Sequence, residues 1–351
     1  MKDPRLLVQS PLRRLSLLQV RHLATVPFGE ATGDTARVYR ELKRDFGVLA
    51  PPIALHAPVP ALLAASWMTL RETMLVDGLV QRAAKEAVAA AVSRDNQCPF
   101  CTTMHSTMHD SLTARPLASG RKAKAGPDGV AGTTPGQLAA WIGSAGRPPF
   151  APELIPELAG TAFCLQYLNR MVNVFLGAQP LPPHAPDRAV GPVLRVLTGL
   201  MRGSVRARAR PGTSLSLLPD APLPEDLGWA AADPRIAGAL ARGTAAVELT
   251  AAELVPESVR DLLTAELARW DGGDPGLGRA WLDAPLRELP PADRQAGNLA
   301  LLTALASYRV DDKAIAAFRQ NGGGDREILA VTSWAAQRAA QRRIGQLLRV
   351  N

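Results

Sequence analysis

An all-α fold is what this sequence predicts, and three of its features carry the prediction. Apolar residues recur at three- and four-residue spacing through most of the chain, no segment alternates at period two for long, and Pro, Gly and Asp punctuate the helical runs. Hydrophobic residues make up 47% of the chain and charged residues 21%, the balance of a folded protein with water-facing helices. At 351 residues the chain exceeds the roughly 250 at which single cores stop growing, so two helical units are expected. No apolar run approaches the roughly 18 residues a bilayer span requires, so no membrane association is expected.

The elements follow in order. Residues 1–24 (MKDPRLLVQSPLRRLSLLQVRHLA) are basic and partly apolar but lack a continuous apolar core and a small-residue cleavage site, and so read as a leading helix or arm. From Ala36 to Phe46, the residues Val38, Leu42 and Phe46 form an apolar stripe that Gly47 stops. Pro51 and Pro52 punctuate, and residues 59–77 run as a helix with Pro60 in the first turn and Gly78 past the end. A helix from about Leu79 to Ser93 breaks at Asp95 and Asn96. Cys98 followed by Pro99 then opens another, because proline is tolerated at the first helical position.

Residues 114–134 are polar and Gly-rich and are expected as a mobile loop, before helix resumes from Pro135 to Ser144. Glu157 to Leu176 is a strong helix in which Leu158, Phe163, Tyr167, Met171 and Val174 supply buried bulk, and the proline-rich QPLPPHAPD ends the unit. Arg188 to about Pro224 reads as a connector with one short helix and an arginine cluster from Arg202 to Arg210. Helices resume at 237–249, 258–270, 293–308, 312–320 and 325–348.

The net charge of +8 comes from arginines scattered over helical segments, only the 202–210 cluster is dense, and aromatics at 5% offer no stacking platform. No nucleic-acid partner is expected. Three cysteines, two of them in a CxxC, argue against a secreted disulfide framework and for a reducing compartment, the cytoplasm.

Chemistry concentrates in Cys98-Pro99-Phe100-Cys101-Thr102-Thr103-Met104-His105. Two thiols three apart, with an imidazole four further on, share one helical face. The break at Asp95 and Asn96 brings Glu86 toward that face, since uninterrupted helix would hold it about 18 Å away. Such a set fits thiol attack on an oxidant, disulfide exchange, or capture of a soft metal. A thioredoxin-like site is excluded, because the motif follows an Ala-rich helix with no βαβ pattern. Cys98, Cys101, His105 and His109 span roughly 16 Å of helix, so all four cannot meet one zinc at about 2.3 Å. Three of them with an external ligand remain an alternative. So does a packing role, two buried small hydrophobes beside a satisfied histidine. Against packing alone, a helix N-terminus and His105 are both recognised ways of activating a thiol. Cys164 reads as core, and His109 as solvated or capped.

The spacing of Glu86, eleven residues, Cys98, two residues, Cys101, three residues and His105 resembles the active-site motif of the AhpD-like alkyl hydroperoxidases, within the carboxymuconolactone decarboxylase superfamily. The flanks agree: Tyr39 through Gly47 to His105 resembles the family's two lead-in helices, and YLNRMVNVFL at 167–176 a family helix. The likeness covers about residues 25–190 and implies an AhpD-like helical bundle there. It further implies Cys101 as the peroxidatic thiol, Cys98 as its resolving partner, and Glu86 with His105 as a proton relay. From the residues alone Cys98 stands nearer the positive end of its helix and rivals Cys101, whereas the i,i+4 contact with His105 favours Cys101. The family's best-known members have a histidine between the cysteines, where this chain has Phe100. Tyr167, Asn169 and Asn173 become candidates to line the pocket.

The implied reaction reduces an organic hydroperoxide or hydrogen peroxide. A dithiol donor, either a lipoamide-bearing or thioredoxin-type protein or a small thiol, then reopens the disulfide. No metal, haem or flavin is required. Two alternatives stand beside it. One is a carboxymuconolactone decarboxylase-like lyase, against which the intact CxxC counts; the other is a non-enzymatic redox-sensing or adaptor protein.

Arg294 to Arg319 looks like a faded copy of Lys85 to Met108. A shift of 210 residues lays Tyr308 over Cys98, Asp311 over Cys101 and Ile315 over His105. Residues 236–351 are therefore expected as a degenerate AhpD-like unit joined through 191–235, packing on the first unit and contributing to a homo-oligomer. The alternative is that two Ala/Leu-rich helices resemble each other by composition.

Overall fold

A computed structural model describes residues 16–114, 133–144, 147–180, 188, 190–206 and 209–349. The expected arm before residue 16, the expected loop over 115–132 and the proline-rich 181–187 lie outside the described residues, as do Ala207 and Arg208 of the arginine cluster.

The described residues form helices joined by turns, with no extended strand among them, and the fold is all-α. Helix α1 (Gly33–Glu41) widens into a π turn over Leu42–Phe46, which Gly47 closes at φ +90°. Short α2 (Pro51–Ala54) leads to α3 (Pro60–Leu70), and proline occupies the first turn of both. A second π turn, Arg71–Leu75, follows α3. Next come α4 (Arg82–Asp95), α5 (Pro99–Thr113), α6 (Pro135–Ser144), α7 (Ile155–Phe175) and α8 (Val190–Arg206). The later helices are α9 (Pro234–Leu254), α10 (Glu257–Arg269), α11 (Asp283–Arg287), α12 (Arg294–Ala306), α13 (Asp312–Gln320) and α14 (Asp325–Leu348).

Two boundaries differ from the sequence expectation for physical reasons. Helix α4 begins at Arg82 rather than Leu79, because the Glu157 carboxylate takes the Leu79 and Val80 amides at 2.6 and 3.3 Å and withdraws them from a helix. Gly78 permits this approach: a Cβ there would lie 2.3 Å from Glu157 Oε1. Helix α8 runs 17 residues, longer than the short helix expected, and lies on α5 and the first π turn with Leu194 and Met201 buried.

One continuous apolar core runs from Leu17 to Leu347. Helices α7 and α14 are buried on almost every side and lie against each other at its centre. Around them, α4 packs on α7 and on α5, while α12 packs on α14 and on α13. Likewise α3 meets α7, α9 meets α14, and α3 and α9 meet each other. The core also contains charge. Lys85 Nζ pairs with Glu157 Oε2 at 2.7 Å, and Arg71 Nε with Asp45 Oδ2 at 2.7 Å, each side chain 5% exposed or less. These pairs pin the π turn and the start of α4, the frame on which the thiols sit.

Candidate active site

Helices α4 and α5 form a hairpin whose link is only Asn96, Gln97 and Cys98. Gln97 adopts φ +50°, the left-handed conformation that lets a helix end sharply. Its amide reaches the Arg94 carbonyl at 3.0 Å, and the Cys98 amide reaches the Ser93 carbonyl at 2.9 Å, the two crossed bonds of a Schellman cap. Cys98 thus ends one helix and caps the next, with Pro99 at its first position. Its carbonyl accepts from the Thr102 amide at 2.9 Å. The chain reverses within three residues, and that sets Glu86 of α4 beside His105 of α5.

The Glu86 side chain is wholly buried. His105 Nδ1 donates to Glu86 Oε2 at 2.7 Å, and Arg82 Nε donates to Oε1 at 2.7 Å. Burial by itself pushes the carboxyl up, but Arg82 and His105 outweigh it and hold Glu86 below its ordinary value. With Nδ1 bound as donor, Nε2 is the acceptor of the neutral ring. Arg82 was missed in the sequence; its place four residues before Glu86 on one helix was the available signal.

Cys98 and Cys101 are buried, 1% and 4% exposed. Burial, then the neighbouring Cys98 thiol, pushes the Cys101 thiol well above its ordinary value. Cys101 and His105 line one cavity of about 150 Å³. The rest of its wall is mostly apolar, including Phe46, Ile53, Met74, Phe100, Met104 and Leu168, with Val193, Leu197 and Met201 of α8 closing one side. Cys98 opens instead on a surface hollow with Arg94, Gln97, Thr102 and Thr103. The two thiols, which interact with each other, border different spaces.

The structure brings together Glu86, Cys98, Cys101 and His105, and separates other candidates from them. Tyr167, Asn169 and Asn173 do not line the cavity. Tyr167 donates to His56 Nε2 at 2.8 Å, Asn169 Oδ1 accepts from Ser93 at 3.3 Å, and Asn173 Nδ2 donates to the Asn96 carbonyl at 3.0 Å. Helix α7 offers the cavity its Leu165, Leu168 and Val172 face instead. Cys164 is buried in the core, and burial pushes its thiol up to about 12. His109 Nδ1 donates to the Ala83 carbonyl at 3.0 Å. Among the described residues no three His, Cys, Asp or Glu side chains sit together as a metal-ligand group, and no helix is long and apolar enough to cross a membrane.

No family model and no solved structure matches the chain. An alkyl hydroperoxide reductase of Mycobacterium tuberculosis is 36% identical to it over 334 residues, spanning 93% of this chain and 94% of that protein. That likeness runs over nearly the whole length of both chains. The chain belongs to the AhpD-like alkyl hydroperoxidase family.

Proposed function

We propose that this protein is a thiol-dependent peroxidase that reduces organic hydroperoxides through Cys101 and Cys98. The observation that carries the reading is the shared cavity, in which a buried thiol and the acceptor face of a Glu86-held imidazole stand one helical turn apart. Cys101 rests as a thiol, so attack needs a base, and His105, on the wall of the same cavity, is the group that takes its proton. The Glu86 carboxylate, held ionised, stabilises the imidazolium that forms. The sulfur attacks the distal peroxide oxygen, the O–O bond breaks, and the proton on His105 passes to the leaving alkoxide. The products are a sulfenic acid on Cys101 and an alcohol. Cys98 then attacks the sulfenate sulfur, water leaves, and a disulfide closes.

The mostly apolar wall favours an alkyl or aryl peroxide over hydrogen peroxide, because burying a hydrocarbon group contributes about 25 cal/mol per Å². The likeness to a relative named as an alkyl hydroperoxide reductase supports the same reaction. The test is stopped-flow consumption of cumene hydroperoxide with a regenerating dithiol. Multiple turnovers that vanish in Cys101→Ser support the proposal; turnover retained in that variant contradicts it. A redox-sensing role is the second reading, favoured by the raised Cys101 thiol, and it predicts one rapid disulfide with little turnover.

A further inference from the structure

A second cavity, of about 50 Å³, lies where the turn between α4 and α5 meets the turn after α12. Arg170 and Arg343 line it, only 4% and 6% exposed. Arg170 Nη1 donates to Asn96 Oδ1 at 3.2 Å and to Gln166 Oε1 at 2.6 Å, and its Nε donates to the Ala304 carbonyl at 3.0 Å. One guanidinium thus fixes the orientation of both amides, turning their oxygens toward it and their NH₂ groups away. Among the described residues, Asn96 Nδ2, Gln166 Nε2 and Arg343 Nε are buried with no hydrogen-bond partner. These three, of the unpartnered buried atoms among the described residues, are the ones whose residues border this cavity, and each is an N–H donor.

The cavity wall also carries two carboxylates, Asp95 and Asp274, each engaged by another arginine: Asp95 by Arg343 at 3.5 Å and Asp274 by Arg309 at 2.9 Å. Arg170 has no ion-pair partner among the described residues and sits 5.9 Å over the Trp270 ring. Burial, with Arg343 nearby, lowers the Arg170 guanidinium to about 10, and Asp95 offsets that only in part. A buried donor left unmade is costly, and a buried cation more so. Water could accept from the three donors, but it would leave the Arg170 charge uncompensated.

We infer that this cavity is a binding site for one small inorganic oxyanion of the phosphate or sulfate type. The room agrees: about 50 Å³ is well above the roughly 10–15 Å³ needed to hold one water and admits a small oxyanion. Guanidinium and carboxamide N–H groups are the donors such oxygens accept best. The site is separate from the thiol cavity and lies at the seam where residues 95–97 meet the later helices.

The experiment is calorimetric titration of the full-length protein with sodium phosphate and with sodium sulfate, against sodium chloride at matched ionic strength. The expected result is one saturable site per chain for phosphate or sulfate and none for chloride. Gln166→Glu keeps the length of the side chain and the oxygen that holds Arg170, replaces the donor NH₂ by an anionic oxygen, and should weaken binding about tenfold or more. Should that variant fail to fold, Asn96→Ala removes a donor at the rim of the cavity and should weaken binding in the same direction. Absence of saturable binding to the wild type, equal binding of chloride, or undiminished binding in a folded variant would each overturn the inference.

Discussion

Replacing Glu86 by glutamine tests the relay with almost no change of volume. The carboxylate accepts from two donors, His105 Nδ1 at 2.7 Å and Arg82 Nε at 2.7 Å, and an amide has only one oxygen to offer. Arg82 cannot give up its protons, so it claims that oxygen and the new NH₂ faces His105. The ring must then accept at Nδ1 and carry its proton on Nε2, toward the cavity, where the base was needed. Losing general-base assistance costs about 10²- to 10⁴-fold in rate, or about 2.7–5.5 kcal/mol in activation free energy. Thiolate would then have to form without help from a thiol that burial already pushes up, so the remaining rate should climb with pH across the alkaline range. Single-turnover stopped-flow with cumene hydroperoxide from pH 6 to 10 measures both effects. A Glu86→Gln protein within about threefold of the wild type, with the same pH profile, would refute the relay.

Three further outcomes are expected. Cys98→Ser should complete one turnover and leave a dimedone-reactive sulfenate on Cys101; labelling on Cys98 in the reciprocal variant, with an inert Cys101, would reverse the roles. Stability should fall as pH drops from about 6.5, because burial lowers His56 to about 4 and the unfolded chain binds that proton first; the loss reaches about 3 kcal/mol near pH 4. Urea titrations at stepped pH should show this slope in the wild type and a shallower one in His56→Gln. Purified protein should hold well under one zinc per chain by elemental analysis and keep its activity in chelator, since His105 and His109 already engage Glu86 and Ala83.

Helix periodicity made the fold class and the α4–α5 hairpin legible, because Ala-rich α4 and the Cys98-Pro99 start each announce themselves locally. What escaped the sequence depends on contacts between distant residues. Nothing local to Leu79 says that Glu157, 78 residues on, will take its amide. The cap at Gln97 lacks the glycine that usually marks one, and the Gln97 side chain instead reaches Asp274 at 3.3 Å. Tyr167, Asn169 and Asn173 misled because α7 is buried all round, so its period cannot say which face meets the cavity. The degenerate repeat remains a proposal. It gains interest from the matching order of contacts, α4 on α7 and α5 beside α12 on α14 and α13.

The most direct measurement of the central claim is a thiol map after one equivalent of cumene hydroperoxide. The oxidised protein is denatured, alkylated and digested, and its peptides are read by mass spectrometry. The dithiol mechanism predicts one disulfide per chain, Cys98 to Cys101, with Cys164 alkylated and one equivalent of cumyl alcohol formed. Consumption of peroxide with Cys98 and Cys101 both still alkylatable would contradict it, as would a disulfide that includes Cys164.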